Sequence, residues 1–275
     1  MKPLILNFTP TGMLPMKEQT PLVPTSPEEI ARDVDACVGL GASMIHLHAR
    51  DEAGHPTYRK EVYGDIIGRI RARHPDLVLI ASTSGRTYSE FEQRADVLDL
   101  EGGLRPDMGS LTLSSINFNK VASINSPDMI LRLAERMQER GIKPELEVFD
   151  LGMVNYAHYL IKKGLLTPPY YFNIILGNIA AAQAKLLHLG LIVSELPPDS
   201  IWSVGAVGDA QLAMNAVGVA CADGVRVGIE DNIYLDEDRT VLATNPDLVG
   251  RIRRIANGMG RRLATPSETR IRLGL

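Results

Sequence analysis

Eight short β-rich runs, spread along the whole chain with helix-like segments between nearly all of them, constrain this sequence more than any other feature. They are Leu4–Phe8, Met44–His48, Leu77–Ala81, Met108–Leu111, Leu146–Phe149, Tyr171–Leu176, Ile201–Val204 and Val225–Ile229. Strands that alternate with helices pair in parallel, and eight βα units are the number that closes a barrel. The competing architecture, an open doubly wound sheet, wants a Gly-rich phosphate turn after its first strand. Thr9-Pro10-Thr11-Gly12 is a poor version of one. The reading is therefore an α/β protein with a (β/α)8 TIM barrel, forming one catalytic domain over residues 1–275. With 275 residues, 45% apolar and 23% charged, the chain can bury the core such a barrel needs.

Helix boundaries carry their own chemistry. Ser26-Pro27-Glu28-Glu29 combines a capping hydroxyl, a proline whose missing N–H costs nothing at a helix start, and a capping-box glutamate. Ser126-Pro127-Asp128, Asn245-Pro246-Asp247 and Thr265-Pro266-Ser267-Glu268 repeat the pattern, and Gly41, Gly141, Gly164 and Gly190 are expected at helix ends. Leu212–Ala222 reads as a buried helix, far short of the ~20 apolar residues that cross a bilayer. Cys37 and Cys221, the two cysteines, fall in helices and are expected to be buried free thiols. The net charge of −4 offers no field for nucleic acid. The start of the chain lacks an apolar run followed by small residues, as in a signal peptide, so a cytoplasmic protein is expected.

Residues two apart on a strand share a face, so His46 and His48 project together, opposite Ile45 and Leu47. If the apolar pair meets the helices, both imidazoles point into the barrel near its carboxyl end, where barrel active sites are built. Two imidazoles do not complete a catalytic zinc site, which takes about three protein ligands. The same parity on the last strand sets Arg226, Gly228 and Glu230 inward against Val225, Val227 and Ile229, with Glu230 ending the strand. That strand and the second are separated only by the first, so His46, His48 and Glu230 are candidate metal ligands. An ordinary satisfied pair of histidines is the alternative. His55, His74, His158 and His188 lack such placement and are expected on loops or helix surfaces.

Asp231 lies just beyond Glu230 and can overhang the metal without ligating it. Beside Arg226 it is a candidate general base, or else half of a structural ion pair. Glu145, Glu147 and Phe149 share one face of the fifth strand, which makes Glu147 a buried carboxylate: an acid, a water-mediated ligand or a partner for Arg226. Ser82-Thr83-Ser84-Gly85, with Ser110 and Thr112, clusters hydroxyls and amides suited to a carboxylate, though βα turns use the same residues. The seventh strand ends in Gly205-Ala206-Val207-Gly208, where many barrels bind phosphate; two glycines in a loop also make a plain tight turn.

Taken together and in order, His46-Leu47-His48-Ala49-Arg50-Asp51, Ser82-Thr83-Ser84-Gly85, Pro106–Leu111, Pro144–Asp150, Val225–Asn232 and Ala264–Arg270 resemble the β-keto acid cleavage enzymes over essentially the whole chain. The resemblance implies Zn2+ on His46, His48 and Glu230, Asp231 as base with Arg226 assisting, and Glu147 in the reaction centre. It places the substrate carboxylate at Ser82, Gly85 and Ser110, with Thr83 and Thr112 alongside. The implied partners are a β-keto acid and acetyl-CoA, exchanged to acetoacetate and a new acyl-CoA, in a homotetramer. A metal-dependent aldolase or hydrolase acting on a small oxo acid without CoA is the alternative. Leu14 stands where relatives that take amino-bearing keto acids place an acidic residue, so an uncharged pocket of Met13, Leu14 and Met16 is expected. Ser84 replaces a familiar glycine, Thr112 a familiar asparagine and Asp209 a frequent arginine, and Arg86 offers itself to a second carboxylate.

Overall fold

A computed structural model describes residues 1–275. Eight parallel strands close into a barrel: β1 (Ile5–Phe8), β2 (Met44–Leu47), β3 (Val78–Ala81), β4 (Met108–Thr112), β5 (Lys143–Val148), β6 (Tyr170–Leu176), β7 (Ser200–Ala206) and β8 (Gly224–Val227). Each is followed by a helix: α1 (Pro27–Gly39), α2 (Lys60–Arg71), α3 (Phe91–Ala95), α4 (Pro127–Glu139), α5 (Leu151–Lys162), α6 (Leu186–Ser194), α7 (Ala210–Cys221) and α8 (Asn245–Gly258). A ninth helix, α9 (Pro266–Leu273), ends the chain. The barrel expected from the eight runs is present, with β1 between β2 and β8. No helix is long and apolar enough to cross a membrane.

Side-chain alternation sorts the strands into two cores. Ile45, Leu47, Leu79, Ala81, Val225 and Val227 face the helices in one large apolar cluster. Ile5, Met44, Val78, Ile80, Met108 and Tyr171 point inward and fill the amino-terminal end, where Ala264 and Leu273 cover them. α9 is pinned there by Thr269, which donates to Ser43 (2.9 Å), and by the ion pairs Arg270–Asp107 (2.6 Å) and Arg272–Asp223 (2.7 Å). The opposite end is left open for chemistry.

Local signals mostly landed where expected. Ser26 and Thr265 cap α1 and α9 through full capping boxes, and Ser126 caps α4. Gly41, Gly141 and Gly164 take positive φ just past helix ends. Five expectations need correcting. Thr244, not Asn245, caps α8; the Asn245 side chain instead accepts from Ile229 N and donates to Pro10 O, tying two loops of the open end together. Gly190 lies inside α6 rather than at its end. Cys37 is buried, but Cys221 is exposed, because α7 turns only one face inward and leaves even Leu212 38% exposed. Of the two glycines read as a loop, Gly205 is within the last residues of β7 and only Gly208 lies beyond it. β8 stops at Val227, so Ile229 and Glu230 stand in the turn beyond it.

Candidate active site

That turn still delivers Glu230 to the barrel axis. Gly228 presses so closely on the Thr9 carbonyl that no Cβ fits, and Gly12, at φ +65°, backs onto Glu230, where a Cβ would meet its Cγ at 2.5 Å. Held between them, Glu230 sets Oε1 3.2 Å from His48 Nε2. His48 Nε2 in turn lies 3.3 Å from His46 Nε2. Strand parity thus brings both imidazoles inward, as anticipated, and all three side chains offer atoms lying within 4.8 Å of one another.

The donor set fits a metal. Ligands about 2.0–2.1 Å from zinc at tetrahedral angles stand about 3.3–3.4 Å apart, close to the spacing seen here. Glu230 Oε2 is buried with no hydrogen-bond partner, which a cation would supply. His46 Nδ1 lies 2.6 Å from Oε2 of Glu145, so that nitrogen carries the proton and Nε2 presents its lone pair to the centre. Glu145 also accepts from Asn7 (2.9 Å) and Asn173 (2.8 Å) and is wholly buried. Burial would raise its carboxyl, but His46, Arg226 and these donors hold it below the ordinary range. Without a metal, burial pulls His46 down, yet Glu145 and Glu230 outweigh it and lift the imidazole to about 9; burial takes His48 down to about 4. A second grouping, His46 with Glu145 and Glu147, also clusters. Its Glu145 is already engaged by three donors, which makes it an orienting carboxylate for His46 rather than a ligand.

Arg226 organises the rest. Its guanidinium donates to both oxygens of Asp231 (2.8 and 3.0 Å) and to Glu230 Oε1 (2.7 Å). It can lie this close because Gly205 on β7 has no side chain; a Cβ there would stand 3.0 Å from Arg226 Cβ. Burial pushes the Asp231 carboxyl above its usual range against the pull of Arg226, with Glu230 adding to the rise. Glu230 is held well below its usual range: burial opposes this, but Arg226 and the two histidines prevail. Glu147 accepts from the Thr112 hydroxyl at 2.6 Å rather than from Arg226, and burial raises its carboxyl.

These groups open into a cavity of ≈ 690 Å³, within the ~300–1,000 Å³ of small-molecule sites. Met13, Leu14 and Met16 form one wall, with Leu14 54% exposed at its rim. Arg50 fixes that loop by donating to the carbonyls of Gly12 (2.7 Å) and Pro15 (3.0 Å). Ser82 and Thr112 reach the cavity. Ser110 and Thr83 do not: Thr83 donates its N–H to Ser110 Oγ (3.1 Å) and its hydroxyl to Ser110 O (2.6 Å). Gly85 is pressed between the Arg94 guanidinium and Ile124 O, behind the wall. Asp209 opens α7 with no side-chain capping bond. His55, His74, His158 and His188 lie away from the cavity, on loops or helix flanks, pairing with Asp51, Asp35, Glu195 O and Gln183 N.

Sequence reasoning singled out Glu147 and passed over Glu145, although one parity argument places both on the same face. Also unforeseen was the strap Ile116–Asn117/Ala122–Ser123, a two-stranded pair after β4 that carries Phe118 and Lys120 over the cavity.

The family described as beta-keto acid cleavage enzyme matches residues 3–275. The chain is 37% identical to the 3-keto-5-aminohexanoate cleavage enzyme of Fusobacterium nucleatum subsp. nucleatum, covering 100% of this chain and 99% of that protein. It is 31% identical to the 3-oxoadipate:acetyl-CoA acetyltransferase of Cupriavidus necator, covering 100% and 95%. Among solved structures, apo ObcA superposes with a TM-score of 0.82 at 21% identity, over 93% of this chain and 66% of that longer one, a likeness of fold. With the family matched over residues 3–275 and a relative 37% identical along the whole chain, this chain belongs to the beta-keto acid cleavage enzyme family.

Proposed function

We propose that this enzyme is a zinc-dependent acyltransferase that condenses a β-keto acid with acetyl-CoA and cleaves the adduct to acetoacetate and a new acyl-CoA. The observation that supports it most is the Arg226 fork. One guanidinium grips a candidate ligand, Glu230, and a non-ligand carboxylate, Asp231, so that a base is fixed beside the metal position without occupying it. His46, His48 and Glu230 would hold the metal, which supplies Lewis-acid polarisation of the keto oxygen when bound.

Asp231 takes a proton from C2 of the keto acid, its carboxylate aimed by Arg226 and Thr9. The freed electron pair at C2 forms a bond to the thioester carbonyl of acetyl-CoA, and the C–S bond breaks to release CoA thiolate. The thiolate then adds to the original keto carbon, and the bond from that carbon to C2 breaks. C2 keeps the electron pair and recovers the proton from Asp231, which leaves acetoacetate and the new thioester. Glu147, with its carboxyl raised by burial, is suited to hold a proton near the oxygens that gain charge. Ser82 and Thr112 offer the substrate hydroxyls from the strand ends, and Ser84 and Ser123 line the same cavity. The Cupriavidus and Fusobacterium relatives are named for keto acids of opposite end charge, 3-oxoadipate and an amino-bearing hexanoate. Leu14, Met13 and Met16 give an ammonium group no partner and leave only the exposed Glu18 on that loop to meet one, which disfavours the second type here.

The deciding experiment incubates purified enzyme with a β-keto acid, with and without acetyl-CoA. Acetoacetate is expected only with acetyl-CoA; equal rates in both tubes would establish a CoA-independent aldolase or hydrolase instead. Elemental analysis is expected to find stoichiometric zinc that His46→Ala and Glu230→Ala lose, and full retention would sink the ligand assignment. Assembly into a homotetramer has a candidate surface in α6, whose Leu186, Leu187 and Leu191 are exposed. A monomeric mass by light scattering would refute it.

A further inference from the structure

We propose that Arg86 is a specificity-determining residue that binds a carboxylate at the far end of the keto acid, which makes a keto acid with two carboxylates the substrate class of this chain. The inference rests on the acyl-exchange reading and adds to it the identity of the group that fills the outer cavity.

Arg86 lines the cavity together with the metal-site and base residues. Its guanidinium stacks on the Phe118 ring, 3.6 Å from the centroid, and Phe118 is in turn held edge-on by Phe149 (6.1 Å, 90°). Stacking braces the guanidinium through its face and leaves the N–H donors in its plane unused. The buried Nε has no partner, and Arg86 joins no ion pair within 4.0 Å. Burial lowers this guanidinium from its ordinary value, against the pull of Glu230, Glu147 and Asp231. A half-buried arginine that is rigid and unpaired in a substrate cavity is matched by a planar anion with two oxygens.

Arg86 stands on the strap side of the cavity, stacked on Phe118, and not in the layer that Ser82 shares with His48. Ser82 directly follows β3 beside His48, since Leu47 and Ala81 pair across β2 and β3. A keto group held beside His48 would set the carboxylate attached to C2 within reach of Ser82. Arg86 lies four residues further along the loop, against a ring carried by the strap above the barrel mouth. Lys120 of the same strap also lines the cavity and adds positive charge to it, whereas Met13, Leu14 and Met16 line it without charge. Glu18, on the rim of the first loop, is the one further carboxylate lining the cavity besides Glu147, Glu230 and Asp231.

The test is calorimetric binding of two non-reacting probes of equal chain length, adipate and hexanoate, to zinc-loaded enzyme, Arg86→Gln and Arg86→Lys. Wild type is expected to bind adipate tenfold to a hundredfold more tightly than hexanoate, on the order of one charge-assisted bidentate contact. Arg86→Gln should abolish that ratio, and Arg86→Lys should restore part of it, since charge returns without the fork. Equal weakening of both probes would mean that Arg86 holds the reacting-end carboxylate, and would overturn the proposal. So would an unchanged ratio, or a rise in the KM for acetyl-CoA alone, which would place a CoA phosphate on Arg86. Because the probes do not react, these outcomes stand apart from the acetoacetate assay, whose failure would remove the acyl-exchange reading and leave the adipate preference to be judged by itself.

Discussion

The two ends of the barrel are built from the same eight strands and share almost no chemistry. At the amino-terminal end the inward positions are Ile5, Met44, Val78, Met108 and Tyr171, closed over by Leu273. Two residues further along, the inward positions become Asn7, His46 and Asn173, and two further still they reach Thr9 and His48. β1 and β2 thus run along the axis from apolar (Ile5, Met44) through hydrogen-bonded (Asn7, His46) to the open-end polar positions (Thr9, His48), written at a spacing of two. The apolar end stabilises the fold. The charged end concentrates Arg226, Glu230, Asp231 and both histidines in a space that α9 does not reach. Stability and chemistry are therefore separable in this molecule, and substitutions at the two ends should show it.

The largest effect is expected at Asp231. Asp231→Asn keeps the shape but removes the base, and kcat/KM should fall on the order of 10²–10⁴-fold, with the urea midpoint little changed. Enzyme-dependent exchange of solvent deuterium into C2 should disappear with it. Exchange that persists at the wild-type rate would assign the base elsewhere, with Glu147 next in line.

Leu273→Ala tests the opposite end. Leu273 is fully buried under the barrel, and truncating such a leucine costs about 2–5 kcal/mol. Urea unfolding should report that loss while kcat/KM stays near wild type. A loss of turnover as large as the loss of stability would show that the ends are coupled.

How much of this was legible in the sequence follows the same axis. Helix caps at Ser26, Ser126 and Thr265 were readable because capping involves neighbours three residues apart. Period-two alternation placed His46, His48 and Arg226 inward because each lies in or directly beyond a strand. Glu230 lies past the end of β8; its approach to the axis depends on Gly228 packing on Thr9 and Gly12 packing on Glu230, contacts between the two ends of the chain that no local window contains. Glu145 shares its face with Glu147, but its role appears only when Asn7, His46 and Asn173 converge on it from three other strands. Resemblance grouped Ser110 and Gly85 with the substrate carboxylate, whereas packing turns both away from the cavity.

A smaller effect is expected between the two ends, at Glu145, which belongs to the buried middle layer and touches the metal site only through His46. Glu145→Gln preserves volume and an acceptor for Asn7 and Asn173 but removes the charge facing His46 Nδ1. Orienting carboxylates of this kind contribute about 10–100-fold to metal affinity. Competition against a chromophoric chelator should show zinc binding weakened within that range. Unchanged affinity would mean that packing alone aims His46 and that the middle layer belongs with the apolar end.

The smallest effect is expected at the rim, where Leu14 is 54% exposed. Leu14→Glu would set a carboxylate opposite the position an amino-bearing chain end occupies. Exposed ion pairs are screened and contribute about 0.2–1 kcal/mol, so preference among keto acids should move toward cationic ones by only a few-fold. The carbonyls of Gly12 and Pro15, not the Leu14 side chain, anchor this loop to Arg50, so the unfolding free energy from urea titration should change by no more than about 0.5 kcal/mol. Comparing kcat/KM for a keto acid and its amino-bearing counterpart reads the shift. An unchanged profile would mean that the first loop does not meet the chain end, and would move the choice of substrate entirely to Arg86 and Lys120.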